Sequence, residues 1–178
     1  MKILSVCGSL RDRSSNAFLL AAAAHVAPAH VELRAYQGIA TLPHFNPDLD
    51  GEGADAPPPV AELRASFLAA DAVLISSPEY AHGMPGAFKN MLDWLVSVGE
   101  LVGMPVALLN ASASGGHHAQ AALIETLRTM NWSVIAEACI IEPFVTRRID
   151  AEIDDERVLQ RLRASIERLA AAQLRTSV

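Results

Sequence analysis

Two stretches of the chain carry residue types and spacings suited to chemistry. The first is Gly8-Ser9-Leu10-Arg11-Asp12-Arg13-Ser14-Ser15-Asn16, which follows an apolar run over residues 2–7. Its composition is that of an anion cradle: glycine for close backbone approach, hydroxyls as donors, arginine for charge-assisted contacts, and a helix N-terminus beyond. Aligned peptide dipoles place roughly half a positive charge at such a terminus. The alternative is that Ser14, Ser15 or Asn16 simply caps the helix, as these residue types do routinely. A dinucleotide site wants G-x-G-x-x-G here and an acid after the second strand; this turn has one glycine, and the second strand leads into Tyr36-Gln37. No P-loop run occurs either, so a compact monophosphate fits better than a pyrophosphate.

The second stretch runs from Ser77 to Trp94, SPEYAHGMPGAFKNMLDW, after the buried strand-like run Ala72–Ile75. A ligand here lies outside the carboxyl end of a strand, where open α/β sheets bind their ligands. Pro85 suits the opening of a helix, because a first-turn proline gives up an N–H that has no helical partner. A flat, mostly apolar ring with polar edges needs donors along one edge and a wall against one face. In Pro78-Glu79-Tyr80-Ala81-His82-Gly83 the backbone N–H groups after the proline can supply the donors and Tyr80 the wall or lid. Glu79 reads as an acceptor that orients the loop. Tyr80 can equally seal a neighbouring subunit, and His82 is either a donor to a substrate oxygen or an inert surface residue. A third segment, Asn110–Gln120, contains Ser112 and Gly115-Gly116, whose small size lets backbone approach a ring edge. A capped helix start is its other reading. His117 and His118 are neighbours on a helix and point to different faces, so no metal site is expected from them.

The elements that must position these segments alternate along the chain. Strands are predicted over 2–7, 31–35, 71–77, 104–110 and 133–141. Helices are predicted over 15–27 (Phe18, Leu19, Ala22, Val26), 60–70 (Val60, Leu63, Phe67, Leu68), 85–98, 117–130 and 153–174 (Val158, Leu162, Ile166, Leu169). That alternation predicts a parallel sheet covered on both faces. Residues 38–59, rich in Pro, Gly and Asp, form the one long irregular region, a functional loop or a plain connection.

At 178 residues the chain reads as a single domain, 1–178, with 51% hydrophobic and 19% charged residues. The net charge of −6 argues against binding nucleic acid or an anionic membrane through a basic face. Cys7 and Cys139 lie in apolar runs and read as buried, reduced thiols. The first apolar stretch is too short for a signal peptide, and no run reaches the roughly 20 residues of a membrane helix, so a cytoplasmic location is expected.

Gly8-Ser9-Leu10-Arg11 with Ser14 and Asn16, together with Ser77-Pro78-Glu79-Tyr80 and Pro85-Gly86-Ala87-Phe88-Lys89-Asn90-Met91-Leu92-Asp93-Trp94, resembles the NADPH-dependent FMN reductase family. That family includes flavodoxin-like quinone, azo-dye and chromate reductases. The likeness runs in order from about residue 1 to 140 and includes a weaker piece, Leu42–Asp48. It implies a flavodoxin-like three-layer sandwich with a five-stranded parallel sheet of order 2-1-3-4-5, and FMN at the carboxyl ends of strands one, three and four. Ser9, Arg11, Ser14 and Asn16 would hold the phosphate, with Ser15 beside them. Pro78, Glu79 and Tyr80 would lie along the ring, with Ala81, His82, Gly83, Ser112 and Gly115 around it. NADPH or NADH would be the donor, and a quinone, azo compound, free flavin or metal oxyanion the acceptor. No side chain need act as acid or base, and kinetics would be ping-pong. Two positions depart from the family pattern: Ala81 stands where an asparagine is usual and His118 where an arginine is. The competing reading is a flavodoxin-type electron carrier without its own turnover.

The large side chains of helix three, Phe88, Met91, Leu92, Trp94 and Leu95, spread over more than one face. They predict a symmetric dimer through that helix, unless the 38–59 loop buries it. The resemblance implies dimers or tetramers built from dimers.

Overall fold

The fold is taken from a computed structural model, which describes residues 1–51, 55–111, 115–141 and 155–176. Strand β1 (Lys2–Cys7) is the hub of a parallel sheet, with β2 (Glu32–Tyr36) on one side and β3 (Ala72–Ser76) on the other. Next to β3 lies β4 (Pro105–Asn110), then β5 (Ser133–Val134), giving the expected order β2-β1-β3-β4-β5. Every residue of β3 and β4 is buried, as strands covered on both faces require. Cys7 is level with Ser76, and Ser76 with Leu109, so three strands end side by side at one edge of the sheet.

Helices α2 (Pro58–Leu68), α3 (Gly86–Asp93) and α4 (His117–Thr129) pack on one face, through Val60, Leu63, Phe67, Phe88, Met91, Leu92, Leu123 and Leu127. Helices α1 (Ser15–His25) and α5 (Glu156–Thr176) cover the other, through Leu19, Leu20, Ala23, Val158, Leu162, Ile166 and Leu169. The result is the three-layer flavodoxin-like sandwich. The stripe predicted on α5 is buried in full, but two other stripes are shifted. Phe18 is only partly buried, with Leu20 and Ala23 in its place, and Leu68 is exposed.

The expected strand over 133–141 is interrupted. After Val134 the chain makes a 3₁₀ turn, Ala136–Ala138, and rejoins β4 as β6 (Ile140–Ile141). The interruption has its own hydrogen bonds. The Cys139 thiol accepts from the Leu108 amide at 3.4 Å, standing in for a strand carbonyl, and donates to the Ile135 carbonyl. From α5, Ser165 Oγ donates to the Ala138 carbonyl and Arg168 to that of Glu137. Both cysteines are free, yet each is only half-buried rather than enclosed as the apolar runs suggested.

Helix α3 stops at Asp93, short of the expected 98, and the reason for a dimer through it does not hold. Phe88, Met91, Leu92 and Trp94 are wholly buried and Leu95 nearly so. The cover is supplied by residues 38–50, which contain 3₁₀ turns at Gly38–Thr41 and Pro47–Leu49. The Asn90 amide and the Trp94 indole both donate to the Pro43 carbonyl at 2.9 Å, and Asn90 Oδ1 accepts from the Phe45 amide at 2.7 Å. Phe45 meets Trp94 edge-to-face with centroids 5.1 Å apart. Asp50 is paired with Arg64 and accepts from Ser97. A region short of regular structure is thus bolted to α3 by side chains that a periodicity argument does not weigh.

Removing the Asn90 amide strips two partners from this loop. Asn90→Ala should lower stability by about 1–3 kcal/mol, read as a lower urea midpoint, and should speed hydrogen exchange at the Phe45 amide. An unchanged midpoint would mean that the clamp is dispensable.

Candidate functional site

Where β1, β3 and β4 end together, the chain forms a cleft of about 200 Å³ lined by Ser9, Arg11, Arg13, Ser14, Ser15, Asn16, Pro78, Glu79, Tyr80 and Ala111. The two segments singled out by chemistry therefore meet, although some sixty residues of sequence separate them. A larger groove of about 500 Å³ lies between the β2 edge and α2 and contains none of the candidate ligand-binding residues.

One wall is the turn between β1 and α1. Gly8 is required there, because a Cβ would come within 2.8 Å of Ser77 Cβ. Ser14 is the N-cap, its Oγ accepting from the Ala17 amide, so the capping alternative is correct for this residue. Its cap leaves the first-turn amides of Ser15 and Asn16 without an i−4 carbonyl. The first turn carries no acidic residue to compensate the helix dipole. The Arg11 guanidinium is exposed beside it. Helix terminus, uncapped amides and two arginines make a wall complementary to a compact phosphate.

The Asn16 side chain is engaged within the fold itself. Its amide is buried, and Oδ1 accepts from Ser76 Oγ at 2.9 Å and from the Ala111 amide at 3.3 Å. The carbonyl end is thus spent on joining α1 to the ends of β3 and β4. What remains for a ligand is the backbone amide and the NH₂ group.

The other wall is the segment after β3. Glu79 is the orienting acceptor that the sequence suggested, and its partner is now identified. Its Oε2 accepts from the Ala119 amide at 2.9 Å, so it caps α4 from another part of the chain. This role is open because Gly116, the N-cap residue, has no side chain and sits at φ 58°, where a Cβ would strike Asn110. The backbone hydrogen bond from Ala119 holds the Glu79 carboxyl below its ordinary value; the His118 amide and the nearby His118 and His82 rings act in the same direction.

Tyr80 and Gly83 exchange both backbone hydrogen bonds at 2.9 Å, closing a two-residue hairpin whose tip is Ala81-His82. Both tip residues lie at positive φ, 49° and 60°, the conformation of the tight hairpin turn that favours Asn-Gly. The turn sets Tyr80 half-exposed over the cleft and carries His82 to His118, where the two imidazoles stack with centroids 4.1 Å apart and planes 19° apart. His117 turns away and covers Gly115, so the neighbouring histidines do face apart. Gly115, at φ 84°, ends the segment before α4. Ser112, also expected to touch a ring, lies outside the described residues. Sequence reasoning missed the Ala119 amide, the strained hairpin and the imidazole stack. Only the third left a trace, the presence of a histidine in each segment.

Two consequences can be measured. A depressed Glu79 pKa means that its stabilisation is present above the unfolded value near 4.5 and is lost as pH falls through the folded one. Glu79→Gln should therefore be less stable than the unaltered protein at neutral pH, with the gap closing in acid. A gap independent of pH would deny the carboxylate its part. At the hairpin, Ala81→Asn places a residue tolerant of positive φ and should stabilise by about 1 kcal/mol, seen as a thermal midpoint raised by a few degrees. A lowered midpoint would show that the turn is not strained at Ala81.

Comparison with known proteins gives this arrangement its context. The chain is 29% identical over 169 residues to a quinone reductase of Escherichia coli (strain K12), covering 91% of this chain and 89% of that one. It is 32% identical over 188 residues to an NAD(P)H:quinone oxidoreductase of Solanum tuberosum, covering 98% and 94%. Among solved structures it is similar to FerB, a flavoenzyme NAD(P)H:(acceptor) oxidoreductase from Paracoccus denitrificans, with TM-score 0.76, 26% identity and coverage of 96% and 98%. The sequence profile of NADPH-dependent FMN reductase matches residues 1–146, and the chain belongs to that family.

Proposed function

We propose that the protein is an FMN-dependent NAD(P)H oxidoreductase that passes two electrons from reduced nicotinamide to a small acceptor such as a quinone. The observation that carries this reading is the meeting of the phosphate-complementary turn with Pro78, Glu79 and Tyr80 in one cleft at the ends of β1, β3 and β4. When bound, FMN would supply the two-electron redox chemistry between nicotinamide and acceptor.

The chain's own residues bind and orient. The Ser15 and Asn16 amides, the Ser9 hydroxyl and Arg11 would hold the phosphate, and Ser14 fixes the start of the helix that presents them. Pro78, Glu79 and Tyr80 would run along the ring, contributing backbone groups, while the Glu79 carboxylate stays engaged with α4. Tyr80 would close one side. Family membership favours turnover over the electron-carrier alternative.

Cytoplasmic location belongs to the same proposal; among the described residues no helix is long and apolar enough to cross a membrane. The homodimer, or a tetramer built from dimers, rests on the family resemblance alone, since α3 has no bare apolar face to offer.

Purified protein should be yellow, consume NADPH or NADH when menadione is present, and give parallel double-reciprocal lines. Arg11→Ala should bind FMN about ten- to a hundred-fold more weakly, the equivalent of one charge-assisted hydrogen bond of roughly 1.5–3 kcal/mol. A yellow protein that oxidises neither nucleotide would return the reading to an electron carrier. Unchanged FMN affinity in Arg11→Ala would remove that residue from the phosphate site.

A further inference from the structure

The imidazole stack has no structural task that accounts for it. The hairpin is already closed by the Tyr80–Gly83 bonds, and the loop is already tied to α4 by Glu79. His82 and His118 are both exposed, and among the described residues no ring nitrogen of either has a hydrogen-bond partner. The left-handed turn holds His82 out at the tip, and the first turn of α4 holds His118. Both rings are near enough to Glu79 to lower its pKa, and Glu79 lines the cleft with Tyr80.

We propose that His82 and His118 form the acceptor-recognition surface of the cleft, selective for planar, oxygen-bearing acceptors of the quinone class. This rests on the reading of the cleft as a flavin site that reduces an added acceptor. The chemistry of imidazole suits the task. A neutral ring offers one N–H donor and one bare nitrogen acceptor. A quinone presents two carbonyl acceptors; after gaining two electrons and two protons it presents two hydroxyl donors. The same pair of histidines can therefore hydrogen-bond both substrate and product, whereas a guanidinium can only donate. Tyr80, half-exposed beside them, adds a flat surface for the ring. An acceptor without oxygens on its ring would gain the stacking but lose the hydrogen bonds, which makes the pair a determinant of specificity.

The test uses oxidised holoprotein without nicotinamide, so that menadione binds without being reduced. Imidazole resonances are followed by NMR during a menadione titration and assigned with His82→Ala and His118→Ala. Ala81 already occupies the same left-handed region, so alanine at 82 is compatible with the turn. The His82 and His118 signals should move along one saturable curve, while those of His25 and His30, at the far end of the sheet, stay still. Each variant should bind menadione about fivefold more weakly, the equivalent of one ordinary hydrogen bond. In turnover the loss should appear in KM for menadione and leave kcat unchanged, and His118→Gln should restore part of it. Signals that stay still, or no saturable binding, would overturn the inference, as would equal menadione affinity in the double variant. Failure of the unaltered protein to bind FMN would instead overturn the reading on which the inference rests, and the inference with it.

Discussion

The carbonyl oxygen of one asparagine holds the ligand end of this sheet together. Asn16 Oδ1 sits in the first turn of α1 and receives a hydroxyl from the last residue of β3 and an amide from the residue after β4. Parallel strands carry no hairpins at this end to fix where their loops depart. Register alone aligns Cys7, Ser76 and Leu109, but beyond them each backbone is free to diverge. A buried acceptor with two donors removes that freedom at the three exits that bound the cleft. Because these groups are buried, leaving them unpaired would cost more than the bonds contribute, so the junction is specified as well as stabilised.

The second tie, from Glu79 to the start of α4, works at the cleft's outer wall. An N-cap supplied from another part of the chain couples the order of two segments that local sequence leaves independent. Gly116, without a side chain, could not cap the helix itself, and the Ala119 amide donates to the Glu79 carboxylate instead. Asn16 and Glu79 are both motif residues, and each is spent on architecture while its neighbours face the cleft. A polar residue in a binding motif is thus not by that fact a ligand contact.

The element order and both cleft walls were legible in the residues, because buried strands and amphipathic helices have distinct periods and the turn residues cluster between them; the sheet order came with the family resemblance. Legibility failed where side chains substitute for backbone. The stretch 133–141 has the apolar character of a strand, yet Cys139, Ser165 and Arg168 stabilise a turn in its middle, and two of those residues belong to a helix about thirty residues away. Helix α3 carried too many large side chains for one face because both faces are covered, the outer one by a loop with little regular structure. The contact of His82 with His118 depends on a left-handed turn at Ala81-His82; histidine is tolerated in that region, but alanine gives no sign of it.

The division of the core between two helix layers also constrains how the chain is made. Strands β2, β1 and β3 can pair once residue 76 has emerged from the ribosome; α2 is already made by then, and α3 and α4 follow to complete the cover of one face. The opposite face has only α1 until α5 is synthesised, for α5 alone brings Val158, Leu162, Ile166 and Leu169 to it. A nascent chain lacking α5 would display a sheet of Ile, Leu and Ala with half its cover missing, the kind of surface on which chaperones act and aggregates grow. Translation speed over the second half of the message is therefore part of this protein's physical chemistry, since it sets how long that face remains wet.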